Sequence, residues 1–337
     1  MPLRVLHLIG SAVSDFFVDL SRVYAEDCLT ATADPDAYEV HLAYVTPDGR
    51  WRFPPDLNSV AAAPGLTVDQ AVKHLTGLDV DVAVPQMFCL PGMTTYRSLL
   101  DLLNIPYVGN TPDVMALGAH KGRTRAVVAA AGVRVPRGEL LRAGDPPTLP
   151  PPVVVKPAQA DNSVGINLVT SALHYPAALA AAFDHDDEVL VETFVEPGRE
   201  VRCGVLEWDG KLICLPLEEY DVDSARKPIR TYADKLRPAR GGLDLVAKEG
   251  TRAWIVPTDD PVTEAVWQAA RACHLALGCR DYSLFDFRID PQGNPWFLEA
   301  GLYCSFAETS VVTTMARAAG IPLSVLFETA VRAATAR

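Results

Sequence analysis

Near the end of the chain, two carboxylates are set to face each other. Leu284-Phe285-Asp286-Phe287-Arg288-Ile289-Asp290 is followed by Pro291-Gln292-Gly293-Asn294 and then by Pro295-Trp296-Phe297-Leu298-Glu299. The pattern is a β-hairpin. With its turn centred on Gln292-Gly293, Asp286 lies directly opposite Glu299 and both point to one face. Like charges in register weaken a hairpin. A cation between them removes that cost. Two such carboxylates suit Mg²⁺, which keeps waters and shares its shell with phosphate oxygens. The competing explanations are a carboxylate solvated at a sheet edge and a bulge that shifts the register.

Two more segments could handle phosphate and nucleotide. Val153-Val154-Val155-Lys156-Pro157 is a β-branched strand whose terminal lysine needs an anion if it is buried. The small polar residues from Gln159 to Gly165 can turn backbone N–H groups toward a phosphate. Otherwise Lys156 is a surface lysine before an ordinary turn. Val189-Leu190-Val191-Glu192-Thr193-Phe194-Val195-Glu196, with Glu200 beyond it, runs an apolar strand into acids. Backbone groups there could meet an adenine and a carboxylate a ribose; otherwise the acids guard a sheet edge. Lys121 stands in an alanine-rich helical stretch and by itself is an exposed helix charge.

The elements that must position these residues follow from periodicity. Strands at 3–9, 38–45 and 80–84 alternate with helices at 15–28, 69–74 and 96–103. That order predicts a parallel, doubly wound α/β unit at the N-terminus. Thr111-Pro112-Asp113 starts a helix that the pattern carries to Ala131, with Gly132 as its stop. The proline-rich stretch 145–152 is a stiff connector. Short strands follow at 153–156, 166–169, 188–193, 200–207 and 211–216, with a helix at 171–183. Residues 219–251 are charged and glycine-rich without apolar period, the mark of a functional loop or lid. A helix at 262–277, the hairpin and two terminal helices complete an α/β unit followed by α+β material.

Composition narrows the function. The chain has 337 residues and net charge −12, so two or three packed units are expected. The acidic balance speaks against a nucleic-acid groove and against a polybasic membrane patch. No apolar run is long enough to cross a bilayer. Seven scattered cysteines, none spaced CxxC, predict buried free thiols in a reducing cytoplasm. No HExxH, GxxxxGK[ST], GxSxG or GxGxxG motif is present.

Taken in order, these features resemble the ATP-grasp ligases, and within them the D-alanine–D-alanine ligase family, over nearly the whole chain. The matching stretches are Asn104–Gly109, Ala119-His120-Lys121, Pro152–Pro157 with Ser163-Val164-Gly165, Ala276–Arg280, Leu298-Glu299-Ala300 and Met315–Ile321. The resemblance implies an ATP-grasp fold behind an N-terminal doubly wound α/β domain, divided at 1–111, 112–188 and 189–337. It implies ATP and Mg²⁺ as cofactors and ADP-forming carbon–nitrogen ligation. Lys121 and Lys156 would hold phosphates, under a loop of Asn162, Ser163, Val164 and Gly165. Glu192, Thr193 and Val195 would surround the adenine, with Glu200 at the ribose. Asp286 and Glu299 would bind the metal, and Lys235 would meet the transferred phosphate from the lid. Asp15 would face the substrate ammonium and Ser310 the amino acid's carboxylate. The partners are then small molecules, an amino acid and a small acceptor; a homodimer is compatible with this.

The departures from the family lie on the acceptor side. Leu284 stands where the family has an arginine that supports the reacting oxygen. Gly301 stands where an asparagine completes the metal shell, which leaves one or two Mg²⁺ open. Ser14-Asp15-Phe16-Phe17, Trp51-Arg52-Phe53-Pro54 and Pro85–Met93 are similar to the mycosporine-like amino-acid ligases of this family. Those enzymes join the amine of serine or threonine to mycosporine-glycine at a cyclohexenone oxygen, giving an imine. That reaction is the expectation; a dipeptide ligase and a catalytically silent nucleotide-binding protein are the alternatives.

Overall fold

The computed structural model describes residues 2–160, 163–196, 198–223, 228–229 and 252–337, and the backbone of two short strands between them. The first unit runs β1 (Leu3–Gly10), α1 (Asp15–Ala31), β2 (Tyr38–Val45), β3 (Trp51–Arg52), α2 (Val68–Gly77), β4 (Val82–Pro85), α3 (Leu90–Met93) and α4 (Thr95–Leu102). Its sheet has the order β3-β2-β1-β4, with β1 parallel to both neighbours and β3 an antiparallel edge. Along β1, Leu6 and Leu8 enter one apolar cluster and Val5 another, so the strand is covered on both faces. Gly10 ends β1 at φ +96°, where a Cβ would stand 2.1 Å from the Val45 carbonyl oxygen.

The single helix expected up to Ala131 is two, α5 (Pro112–Ala119) and α6 (Lys121–Ala130). The break is His120, at φ −103° and ψ 95°, whose ring accepts the Arg123 N–H and caps α6. The central sheet is antiparallel, in the order β5-β8-β6-β7: β5 (Gly138–Arg142), β6 (Val153–Pro157), β7 (Asn167–Val169) and β8 (Glu188–Thr193). Helix α7 (Tyr175–Phe183) covers one face. The division expected at 188/189 falls at the first residue of β8, which is paired on both edges, so the central sheet runs on to Thr193.

The last sheet holds β9 (Arg199–Trp208), β10 (Lys211–Cys214), β11 (Glu218–Tyr220), β14 (Ala253–Ile255), β15 (Tyr282–Ile289) and β16 (Pro295–Gly301), in the order β14-β11-β9-β15-β16 with β10 also on β9. Between them β12 (Arg237–Ala239) and β13 (Gly242–Asp244) pair with each other. Glu219 and Tyr220 therefore belong to a paired strand and not to the expected lid; Lys235 lies outside the described residues. Helix α8 (Thr263–Leu277) packs on this sheet, and α9 (Val311–Ala318) and α10 (Leu323–Thr335) reach back to the N-terminal one. All seven cysteines are free and six are buried. Among the described residues no single helix is long and apolar enough to cross a membrane.

The N-terminal sheet is tied to the C-terminal segment by a buried polar chain. His7 Nδ1 lies 2.9 Å from Gln86 Oε1, and Gln86 Nε2 donates to the Ser305 carbonyl at 3.0 Å. Burial pushes the His7 imidazole down from 6.5 to about 4 despite the Gln86 bond, so the folded chain holds it neutral. The unfolded chain takes up that proton near its ordinary value, so it binds more protons between the two. Stability is full above that window and falls as pH drops through it, by up to about 3 kcal/mol from this group. His7→Gln should remove that part of the loss. Urea midpoints at about pH 7.5 and about pH 4.5 should differ less for the variant than for the wild type.

Candidate functional site

Two sheets each bury one face on helices and turn the other onto a shared cleft. In the central sheet Val153, Val155, Val189 and Val191 pack toward α7, while Val154, Lys156 and Glu192 line the cleft. In the C-terminal sheet Val201, Cys203, Phe285 and Phe287 pack with α8. Strand alternation then sends Glu200, Arg202, Asp286 and Arg288 to the other face. The cleft has about 670 Å³ of empty volume and is open to solvent. Pro136, Val154, Ile166, Val195 and Leu298 form its apolar walls, and Lys156, Ser163, Glu192, Thr193, Glu200, Asp286 and Glu299 also line it.

The hairpin brings Asp286 opposite Glu299, as expected, by an unexpected route. Near the turn Ile289 pairs with Pro295 and Phe287 with Phe297, one residue away from the register of a turn centred on Gln292-Gly293. The loop is Pro291-Gln292-Gly293, closed by Gly293 N–H donating to the Asp290 carbonyl at 2.9 Å, with Gly293 at φ +82°. A bulge at Leu298 then restores the register, so the bulge creates the pair.

Glu192, Glu200 and Asp286 are each held by a cation from a neighbouring element. Glu192 takes Lys156 Nζ at 2.5 Å and Arg125 Nε, from α6, at 3.1 Å. Lys156 is thus buried and paired, not a surface lysine. Glu200 Oε2 accepts from Arg288 Nη2 at 2.7 Å, and Arg288 lies over the Phe194 ring. Lys121 opens α6 with its side chain buried, and its ammonium donates to the Ala160 carbonyl. It is no exposed helix charge. The loop between β6 and β7 takes Ser163 at φ +60° and Gly165 at φ +69°; a Cβ on Gly165 would meet Pro157 at 2.8 Å. Val164 lies in that loop, and Asn162 is outside the described residues.

At the end of the cleft Arg202 Nε lies 2.7 Å from Asp286 Oδ1, with its guanidinium over the Tyr220 ring. Burial opposes the charge on Arg202. Asp286, Tyr220, Glu218 and Glu299 outweigh burial and hold the guanidinium well above its ordinary value. Beyond it stand three rings: Tyr24 of α1 is 5.3 Å from Phe88, and Phe88 is 5.2 Å from Tyr303. Burial pushes the Tyr24 phenol up to about 12 against the pull of Arg202, which is within electrostatic reach. Leu284 is buried in the cluster that joins α9 and α10 to the N-terminal sheet. Asp15 is exposed at the start of α1. Ser310 caps α9, its Oγ accepting the Thr313 N–H at 3.3 Å.

Arg202, Arg288 and Arg125 escaped the sequence reading. A signal for two of them was present. Glu200 and Arg202 on one strand, and Asp286 and Arg288 on the other, sit two apart in otherwise apolar alternation.

Residues 147–332 match the family described as D-ala D-ala ligase C-terminus. The chain is 30% identical to the D-alanine–D-alanine ligase of Mycolicibacterium gilvum (strain PYR-GCK), over 94% of this chain and 95% of that one. It is 34% identical to the ligase of the same name from Mycobacterium tuberculosis (strain CDC 1551 / Oshkosh), over 77% and 69%. Among solved structures, VanG D-Ala:D-Ser ligase from Enterococcus faecalis superposes with TM-score 0.79 at 22% identity, over 98% of this chain and 99% of that one. D-alanine–D-alanine ligase from Bacillus anthracis complexed with ATP gives TM-score 0.72 at 20% identity, over 99% and 98%.

Glu192→Gln strips the charge from a buried side chain that faces buried Lys156 and half-buried Arg125. Breaking such a pair costs about 3 kcal/mol or more, and a urea titration should show a midpoint lowered accordingly. Ser310→Ala removes the cap of α9 and should cost about 1 kcal/mol in the same assay.

Proposed function

Because the chain belongs to the D-alanine–D-alanine ligase family, whose members are ADP-forming ligases of ATP-grasp fold, we propose that it joins the amine of a free amino acid to a phosphorylated oxygen of a planar, ring-bearing acceptor. The favoured pair is mycosporine-glycine with serine or threonine. One feature supports the acceptor assignment: the rings of Tyr24, Phe88 and Tyr303 stand in series, with Tyr24 within electrostatic reach of Arg202, while position 284 offers a buried leucine. The relatives' shared name favours a second reading, a dipeptide ligase acting on D-alanine.

The enzyme uses ATP and Mg²⁺, and the cleft fits both. Among the described residues no group of three or more His, Cys, Asp or Glu is placed to hold a metal. The donor set is then the Asp286 and Glu299 carboxylates, which suits an ion that keeps waters and phosphate oxygens in its shell. Those two residues would hold Mg²⁺, which when bound neutralises phosphate charge. Lys121 and Lys156 would meet the phosphates beneath the Ser163–Gly165 loop. The apolar walls and Thr193 would take the adenine, and Glu200, fixed by Arg288, the ribose. The γ-phosphoryl group of ATP passes to the acceptor oxygen; the amine attacks the carbon bearing it, phosphate leaves, and ADP is released. The chain's own tasks are to orient the phosphates, balance their charge and exclude water. Asp15 and Ser310 belong to the amino-acid side of this reading.

Mass spectrometry after incubation with Mg·ATP, an amino-acid panel, mycosporine-glycine and D-alanine decides between the readings. The imino product is expected with serine or threonine. D-alanyl-D-alanine as the dominant product would overturn the acceptor assignment. Glu299→Gln should lower turnover by about 10²-fold or more with the fold intact, because the loss falls on charge balance at the phosphates. Circular dichroism and single-turnover kinetics check both halves of that expectation.

A further inference from the structure

We propose that Arg202 is a built-in cation at the metal site, so that the nucleotide-loaded enzyme holds one Mg²⁺ and not two. Register across four strands sets Glu218 of β11, Arg202 of β9, Asp286 of β15 and Glu299 of β16 in one row. Directly opposed residues of antiparallel strands share a face. Arg202 Nε sits 2.7 Å from Asp286 Oδ1, and the guanidinium is pinned over the Tyr220 ring, 4.9 Å from its centroid. Within the row, one guanidinium already stands among the three carboxylates and meets part of their charge. A second divalent ion on Asp286 would stand beside a guanidinium bound to the same carboxylate, and like charges that close repel strongly in a half-buried site. Two residues along β16, the next position on that face is Gly301, opposite Leu284, and it brings no side-chain oxygen. Charge and ligand count therefore point the same way.

The inference rests on the ATP and Mg²⁺ reading, but its test needs neither acceptor nor amino acid. Mn²⁺ is titrated into the full-length enzyme saturated with a non-hydrolysable ATP analogue, and bound manganese is counted by electron paramagnetic resonance. The wild type should hold one ion per chain with an uncoupled spectrum. Arg202→Met combined with Gly301→Asn should hold two, with the line broadening of a coupled pair. Position 301 has room, since an added Cβ meets nothing closer than the Leu284 side chain at 3.7 Å. Arg202→Lys, which keeps the charge, should stay at one. Two ions in the wild type overturn the proposal alone, and this count needs no variant to fold. A folded double variant that still holds one overturns it as well. No bound manganese overturns it together with the metal reading beneath it.

Discussion

The site depends on one constraint: charged residues that share a sheet face must be neutralised by other residues on that face. Antiparallel pairing leaves no choice about which residues these are, because opposed residues point the same way. Once Asp286 is buried, its neighbours on β9 and β16 are committed with it. An uncompensated buried ion costs several kcal/mol. Arg202 meets Asp286, Arg288 meets Glu200, and Lys156 with Arg125 meets Glu192. Three of the cleft's acids thus have cationic partners within the chain. Glu192, Glu200 and Asp286 are each oriented by a cation from another element.

That balance also explains how the two sheets cooperate. Lys156 and Glu192 sit on the central sheet and Glu200 and Arg288 on the C-terminal one, so neither sheet presents a bare charged face to the other. The apolar positions between the pairs, Val154 and Leu298 among them, are left to line the cleft. A flat apolar group fits between such walls, with polar atoms met only at the edges, which is the usual build of a small-molecule site.

Much of this was legible in the chain. Strands Tyr38–Val45, Glu188–Thr193 and Tyr282–Ile289 fall where their runs of β-branched, aromatic and apolar residues put them. Alanine-rich sequence suits a helix on both sides of His120; the break goes with that residue's cap of α6 and its ring's contact with Glu188 at 3.0 Å, neither of which the composition shows. Along the sequence Lys156 and Glu192 stand as separate site residues. Their pairing is invisible along the chain because it joins β6 and β8 across more than thirty intervening residues. Ser310 reads equally well as a cap or a ligand, since one hydroxyl at a helix start serves both, and its place as the α9 cap leaves the second use to experiment.

The bulge at Leu298 shows how core and site can impose different demands on one hairpin. Near the turn Phe287 pairs with Phe297, and both rings enter the core 6.2 Å apart. Had that register continued, Asp286 would have faced Leu298 and Glu299 would have turned to the core side beside Phe285, because a one-residue slip reverses every side chain. A carboxylate there would be unpaired among aromatics. Inserting one residue lets the turn half obey the core and the far half obey the site. The second carboxylate of the pair is therefore owed to a local irregularity. A regular hairpin of the same sequence would set Leu298, not a second carboxylate, opposite Asp286 and would bury Glu299 beside Phe285.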